Sequence, residues 1–214
     1  MILVLLGPPG AGKGTQGDRL AASLKVPRIA TGDVLRAAVL KGTPLGMEAK
    51  AAMDRGDLVP DEVILGIMQE ALSAPEAERG AILDGVVRTV PQAEGLARVT
   101  ATLGRQVDAV LLFEVSEEEL LRRLGGRTVC SVCQTPFKGR EVGELCEKCG
   151  GRLIRRKDDE PEAIRHRLAV FQAQTAPVVA WYRASSTPIL AIDAAGTPDE
   201  VEARMLAALA QVRS

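Results

Sequence analysis

Met1-Ile2-Leu3-Val4-Leu5-Leu6-Gly7-Pro8-Pro9-Gly10-Ala11-Gly12-Lys13-Gly14-Thr15 opens the chain. Six apolar residues predict a buried strand, and the glycine-rich run behind them predicts a turn into a helix. That order is the sequence signature of a phosphate cradle. Gly10, Gly12 and Gly14 let successive backbone N–H groups point inward, because no Cβ blocks the approach of a polyphosphate. Lys13 can reach the β- and γ-phosphates, and the following helix offers its positive N-terminal end. The common form of this loop places Ser or Thr directly after the Lys, where the hydroxyl binds Mg²⁺. Here Gly14 intervenes before Thr15, so the metal has to be held in another way.

Working outward, short apolar runs alternate with longer amphipathic ones. The pattern predicts strands at 2–6, 28–31, 81–84, 109–115 and 188–193. Helices are expected at 13–24, 32–41, 44–55, 61–73, 90–103, 116–124, 161–183 and 198–212. Runs such as Ala109-Val110-Leu111-Leu112-Phe113 imply burial on both faces, hence a parallel sheet between helix layers. Right-handed crossovers make this an α/β, doubly wound, three-layer core of five parallel strands, with ligands at their carboxyl ends. Pro161 suits a first helical turn, whereas Pro177 should kink the long helix that contains it. Two stretches interrupt the alternation. Residues 30–59 hold two helices without a returning strand, and residues 126–157 are rich in Gly and Cys. The expected division is a core of 1–29, 60–125 and 158–214, a helical insertion at 30–59 and a second insertion at 126–157.

Composition narrows the function classes. The 214 residues are 46% hydrophobic, enough for a sizeable core. Lys plus Arg total 27 against 28 Asp plus Glu, so no global basic field advertises nucleic-acid or membrane binding. Aromatics are 2% of the chain, too few for base-stacking platforms. No run approaches the ~20 apolar residues of a membrane span, and Met1–Leu6 lacks the features of a signal peptide. A cytoplasmic chain is expected. The basic residues are mostly Arg, the better fork for phosphate oxygens, although a GC-rich genome produces the same bias.

Cys130-x2-Cys133 and Cys146-x2-Cys149 use all four cysteines. Two such knuckles separated by 12 residues have close to the spacing of a four-cysteine structural zinc ribbon. The spacing favours structural Zn²⁺ over two disulfides or an iron or redox site, and four thiolates leave no open position for catalysis at the metal. The sole histidine, His166, falls outside this segment on the long helix and reads as a surface or groove residue.

Three further motifs complete the pattern: Thr31-Gly32-Asp33-Val34-Leu35-Arg36, Gly56-Asp57-Leu58-Val59-Pro60, and Asp84-Gly85-Val86-Val87-Arg88-Thr89 followed by Gln92. With the opening loop, they resemble the adenylate kinases among the nucleoside monophosphate kinases, over nearly the whole chain. The resemblance implies phosphoryl transfer from MgATP to AMP, giving two ADP, with residues 30–59 binding AMP and 126–157 forming a zinc-bearing lid. It implies that Thr31, Arg36, Met53, Asp57, Leu58, Val59 and Gly85 line the AMP pocket, with Arg36 on the phosphate. Arg88 would bridge the acceptor phosphate and the transferred group, and Gln92 would read the adenine edge. Asp84 would hold Mg²⁺ through its water. On the ATP side, Gly10, Gly12, Lys13, Gly14 and Thr15 would cradle phosphates, Arg123 would stack on adenine and Arg127 would contact phosphates. Arg156 and Arg167 would close on the transferred group, while Asp158 and Asp159 would bias lid closure. Thr31 also suits a helix N-cap.

The family's Phe-Pro between Gly and Arg is Val86-Val87 here. A non-proline cis bond costs about 2.5–4 kcal/mol, so this bond is expected to be trans. Rival readings are a UMP or CMP kinase on the same scaffold, an ATP-binding module with weakened turnover, and a zinc-ribbon nucleic-acid binder. The Val-Val pair predicts weaker AMP binding or lower stability than a Phe-Pro version. A V86F/V87P variant is expected to lower the AMP KM or raise Tm; no change in either refutes this.

Overall fold

The computed structural model describes residues 1–212. In chain order the elements are β1 (Ile2–Leu6), α1 (Lys13–Leu24), β2 (Arg28–Ala30), α2 (Thr31–Leu40), α3 (Pro44–Arg55), α4 (Asp61–Ser73), β3 (Ala81–Asp84), α5 (Val90–Thr102) and β4 (Ala109–Glu114). They continue with α6 (Glu117–Gly125), β5 (Arg127–Cys130), β6 (Pro136–Lys138), β7 (Leu153–Ile154), α7 (Pro161–Val170), α8 (Ala176–Ala184), β8 (Ile189–Asp193) and α9 (Pro198–Val212). Five strands form one sheet in the order β2-β3-β1-β4-β8. Every pairing in it is parallel.

Side-chain alternation along β1 explains why its whole apolar run is buried. Ile2, Val4 and Leu6 join a core with Met68 and Leu72 of α4, Leu96 of α5 and Tyr182 of α8. Leu3 and Leu5 point to the other face, toward Leu20 of α1 and Val201, Met205 and Leu209 of α9. A strand with helices on both faces has no polar side, which is why it reads as a continuous hydrophobic run. The carboxyl ends of β1, β2 and β3 all deliver chain to one edge, where the opening loop, Thr31 and Asp84 emerge.

Boundaries shift where side chains or proline decide them. Helix α2 begins at Thr31, with Ala30 in the N-cap position and no side-chain cap. The expected capping role of Thr31 is therefore corrected: its hydroxyl donates to the Gly85 carbonyl at 3.0 Å. Ser116 caps α6 by accepting from the Glu119 N–H. The predicted helix 161–183 is divided. A π-helical turn, Phe171–Thr175, separates α7 from α8, and the Ala176 N–H bonds back to the Phe171 carbonyl. Pro177 has no N–H to continue an α ladder and its ring crowds the preceding turn, so the wider turn takes up the misfit.

Residues 127–154 form a separate antiparallel sheet, β6-β5-β7. Its apolar interior is small: Cys130, Cys146 and Leu153, with Phe137 against them. Helices α2 and α3 pack tightly because Gly46 lets α3 meet the α2 backbone. A Cβ there would stand 2.3 Å from the Ala38 carbonyl. Gly66, exposed on α4, has open space around the same position. Gly46→Ala is expected to lower stability by roughly 1–3 kcal/mol through overpacking. Gly66→Ala should raise it by about 0.5–1 kcal/mol through helix propensity. Thermal melts of the two variants check both signs.

Candidate active site

The opening loop turns through two glycines in the left-handed region, Gly10 at φ 84° and Gly12 at φ 93°. Gly12 is the N-cap of α1, and no side chain caps that helix. Its first-turn N–H groups therefore remain available to an anion. Lys13 Nζ lies under this loop, donating to the carbonyls of Gly7 at 2.7 Å and Pro8 at 2.8 Å. Burial pulls its pKa down to about 8; Asp84 opposes the shift, and Arg88, Arg167 and Arg127 add to it. The ammonium is thus held in a cationic, poorly solvated place.

A cavity of about 740 Å³ runs from this loop to α2, the loop after β3, α7 and the small sheet. Gly10, Gly12, Lys13, Gly14, Thr15, Arg36, Leu58, Asp84, Gly85, Arg88, Arg123, Arg127, Arg156 and Arg167 all line it. Residues far apart in sequence, from Gly10 to Arg167, converge there. Arg88 and Arg156 have no carboxylate within ion-pair distance among the described residues. Burial lowers the pKa of Arg88 to about 10, with Arg167 contributing. Burial likewise lowers Arg156 to about 10, with Arg36 and Arg127 adding to it. The Nε atoms of Arg36 and Arg156 are buried without a partner. Cations crowded this way call for a polyanion.

The other arginines are held by acids. Arg127 forks onto Asp159, which is fully buried, and Arg167 contacts Asp158 at 3.0 Å and Asp159 at 3.2 Å. Arg123 donates to Glu119 at 2.7 Å and to the Ala194 carbonyl at 2.8 Å. Arg36 pairs with Asp33. Gly56 permits the close approach of Arg167, whose Cγ would lie 2.4 Å from a Cβ at that position.

On the acceptor side, the Gly85 carbonyl accepts from Thr31 Oγ1 at 3.0 Å and from Arg88 Nε at 2.9 Å. Val86 and Val87 are buried in the core beneath it, and no cis peptide bond occurs among the described residues. Gln92 is also buried. Its Oε1 accepts from the Arg88 N–H at 2.7 Å, and its Nε2 donates to Asp61 at 2.7 Å. Thr31, Met53, Asp57, Val59 and Gln92 stand outside the cavity wall. Thr31 and Gln92 support the loop from below, whereas Asp57 bonds His166 at 2.6 Å and Arg55 at 2.8 Å near the surface.

Several contributors escaped the sequence reading. Asp61 anchors both Gln92 and Thr89. Its only signal was its place as the first residue of α4. Arg28 contacts Asp18, Asp33 and Asp84, and Lys138 and Lys148 of the small-sheet segment reach the cavity wall. In that segment, Cys130 Sγ lies 3.4 Å from Cys149 Sγ and Cys133 Sγ 3.6 Å from Cys146 Sγ. All four sulfurs fall within 4.8 Å of one another. Tetrahedral zinc with bonds of about 2.3 Å separates its sulfurs by roughly 3.8 Å, so the donor set fits.

A family model described as Adenylate kinase matches residues 5–187. The chain belongs to the adenylate kinase family. It is 68% identical over 211 residues to an adenylate kinase of Gemmatimonas aurantiaca, covering 98% of this chain and 99% of that one. It is 46% identical over 213 residues to an adenylate kinase of Geobacter sp. (98% and 99% covered). An adenylate kinase of Salinispora tropica is 45% identical over 213 residues, with 98% of both chains covered. These relatives span the small sheet as well as the core. No helix among the described residues is long and apolar enough to cross a membrane.

The depressed Lys13 gives a pH prediction. The protonated form binds phosphate, and kcat/KM reports the free enzyme. The kcat/KM for ATP should therefore fall as pH rises through about 8. Bound polyphosphate favours the ammonium, so kcat at saturating nucleotide should hold to higher pH. Parallel pH profiles of the two parameters check this.

Proposed function

We propose that this chain transfers the γ-phosphoryl group of MgATP to AMP, giving two ADP. The observation that carries the reading is the pair of half-buried arginines, Arg88 and Arg156, without carboxylate partners between a phosphate-cradling loop and a second loop fixed by Thr31. An AMP phosphate oxygen is already a nucleophile, so the reaction needs no general base. Positioning and cationic stabilisation carry the catalysis. Lys13 and the α1 N-terminus receive the donor phosphates, with Arg123 and Arg127 beside them. Arg36 and Arg88 receive the acceptor phosphate. Arg156 and Arg167 reach the transferred group, where charge spreads over the equatorial oxygens.

Mg²⁺, when bound with ATP, neutralises phosphate charge and orients the polyphosphate. Asp84, a hard oxygen donor lining the cavity at the end of β3, is the residue that would hold it. Gln92 acts on AMP through Arg88 and the loop it supports, in addition to any contact with the base. Residues 30–59 serve as the AMP arm and 126–157 as a lid, both closing over the core to exclude water. Cys130, Cys133, Cys146 and Cys149 hold a structural Zn²⁺ in that lid. The metal supplies the stability that its few buried residues cannot. The chain works as a monomer in this reading, and cysteines grouped for metal support a reducing, cytoplasmic compartment.

A coupled assay offering AMP, UMP, CMP and GMP with MgATP tests the reading. AMP-selective ADP formation is expected; transfer to no acceptor, or preference for a pyrimidine, overturns it. Lys13→Ala and Arg88→Ala should each lower kcat by ~10²–10⁴ with the fold intact. A loss below about tenfold removes that residue from the catalytic set. Metal analysis should find one zinc per chain. Its removal by a strong chelator should lower Tm and expose the lid to protease.

A further inference from the structure

Arg28 is the first residue of β2, and its backbone registers with Ile82, two positions before Asp84. Its side chain runs along the sheet toward the carboxyl edge and ends among three carboxylates. Nη1 donates to Asp84 Oδ2 at 2.7 Å, Nη2 to Asp33 Oδ2 at 2.6 Å and Nε to Asp18 Oδ1 at 2.6 Å. Only 18% of the side chain is exposed. Asp33 gives its other oxygen to Arg36. The result is a continuous alternation, Asp84–Arg28–Asp33–Arg36, from the donor side of the cavity to the acceptor side.

The lane that Arg28 follows is built. A Cβ at Gly17 would stand 2.8 Å from Arg28 Cδ, and one at Gly14 would stand 3.5 Å from Asp84 Oδ2 and 3.8 Å from Arg28 Nη1. Two missing side chains on α1 thus leave room for the stem and for the head group. Among the described residues, Arg28 is the one ion-pair partner of Asp84.

We propose that Arg28 is a positioning residue that sets the Mg²⁺ affinity of the site by orienting Asp84 and Asp33 and offsetting their charge. This rests on the reading of Asp84 as the residue that holds Mg²⁺. A carboxylate oxygen that already accepts from a guanidinium has less negative charge to offer a hydrated cation. The fork also keeps two acids at fixed distance from each other. Removing it leaves a more negative site that takes a divalent ion more readily and aims it less well.

The test compares wild type with Arg28→Gln and Arg28→Lys in the full chain. Two quantities are measured: the free Mg²⁺ giving half-maximal transfer, and Mn²⁺ binding to the nucleotide-free protein by electron paramagnetic resonance. Arg28→Gln is expected to lower the half-saturating Mg²⁺ about three- to tenfold and to tighten Mn²⁺ binding in parallel. Arg28→Lys, which keeps the charge and loses the fork, should shift both in the same direction by a smaller factor. A purely structural peg between β2 and β3 would lower Tm and leave both metal readings within twofold of wild type; that result overturns the proposal. Should Arg28→Gln fail to fold, Arg28→Lys decides alone, and unchanged metal readings in it overturn the proposal. A wild-type protein without Mg²⁺-dependent transfer refutes the underlying function instead, and Mn²⁺ binding still judges Arg28.

Discussion

Crowding half-buried cations with too few counter-charges is the constraint around which this molecule is arranged. Arg88 and Arg156 have no carboxylate partner, Lys13 donates to carbonyls, and Arg167 lies half-buried beside them. Desolvating an unpaired ion costs several kcal/mol. A chain tolerates this only when a large apolar core stabilises the rest, and here both faces of the sheet are filled. Asp84, Asp158 and Asp159 offset part of the repulsion. The remaining positive charge favours a polyanion, so the same crowding that opposes folding suits the cavity to phosphate.

Positioning comes from the sheet edge and from small residues. Parallel strands deliver β1, β2 and β3 to one rim, so a lysine loop, a threonine and an aspartate from distant sequence meet there. Side chains then reach past one another where glycine leaves room: Arg28 over Gly17, Arg167 over Gly56, α3 against α2 at Gly46. The Gly85 carbonyl, gripped by Thr31 and Arg88, ties the loop after β3 to both α2 and Arg88. Its two valines sit in the core, where their packing contributes to holding that loop.

The small sheet follows a different economy. With Val129, Cys130, Cys146 and Leu153 as its buried apolar residues, it has too little apolar area to fold on burial alone. Its four sulfurs lie within 4.8 Å of one another, a set that could hold a metal ion in place of a core. Lys138, Lys148 and Cys133 bring this unit to the cavity wall.

The linear pattern determined a great deal here. Continuous apolar runs can only be strands buried on both faces, and a glycine-lysine turn behind one of them can only lie at a sheet's rim. Cysteine spacing marked the small sheet, although not its three strands. What sequence could not decide is where polar side chains end. Thr31 reads equally as a cap or a ligand contact, and tertiary contact sends its hydroxyl to Gly85. Gln92 reads as a base contact, yet both ends of its amide meet the protein. Nothing local signals the reach of Arg28 to Asp84 or of Asp61 to Gln92, because these partners lie 56 and 31 residues away. Hydrophobic periodicity is a local property and survives in one dimension; the pairing of charges depends on which strands become neighbours, and only the folded chain settles that.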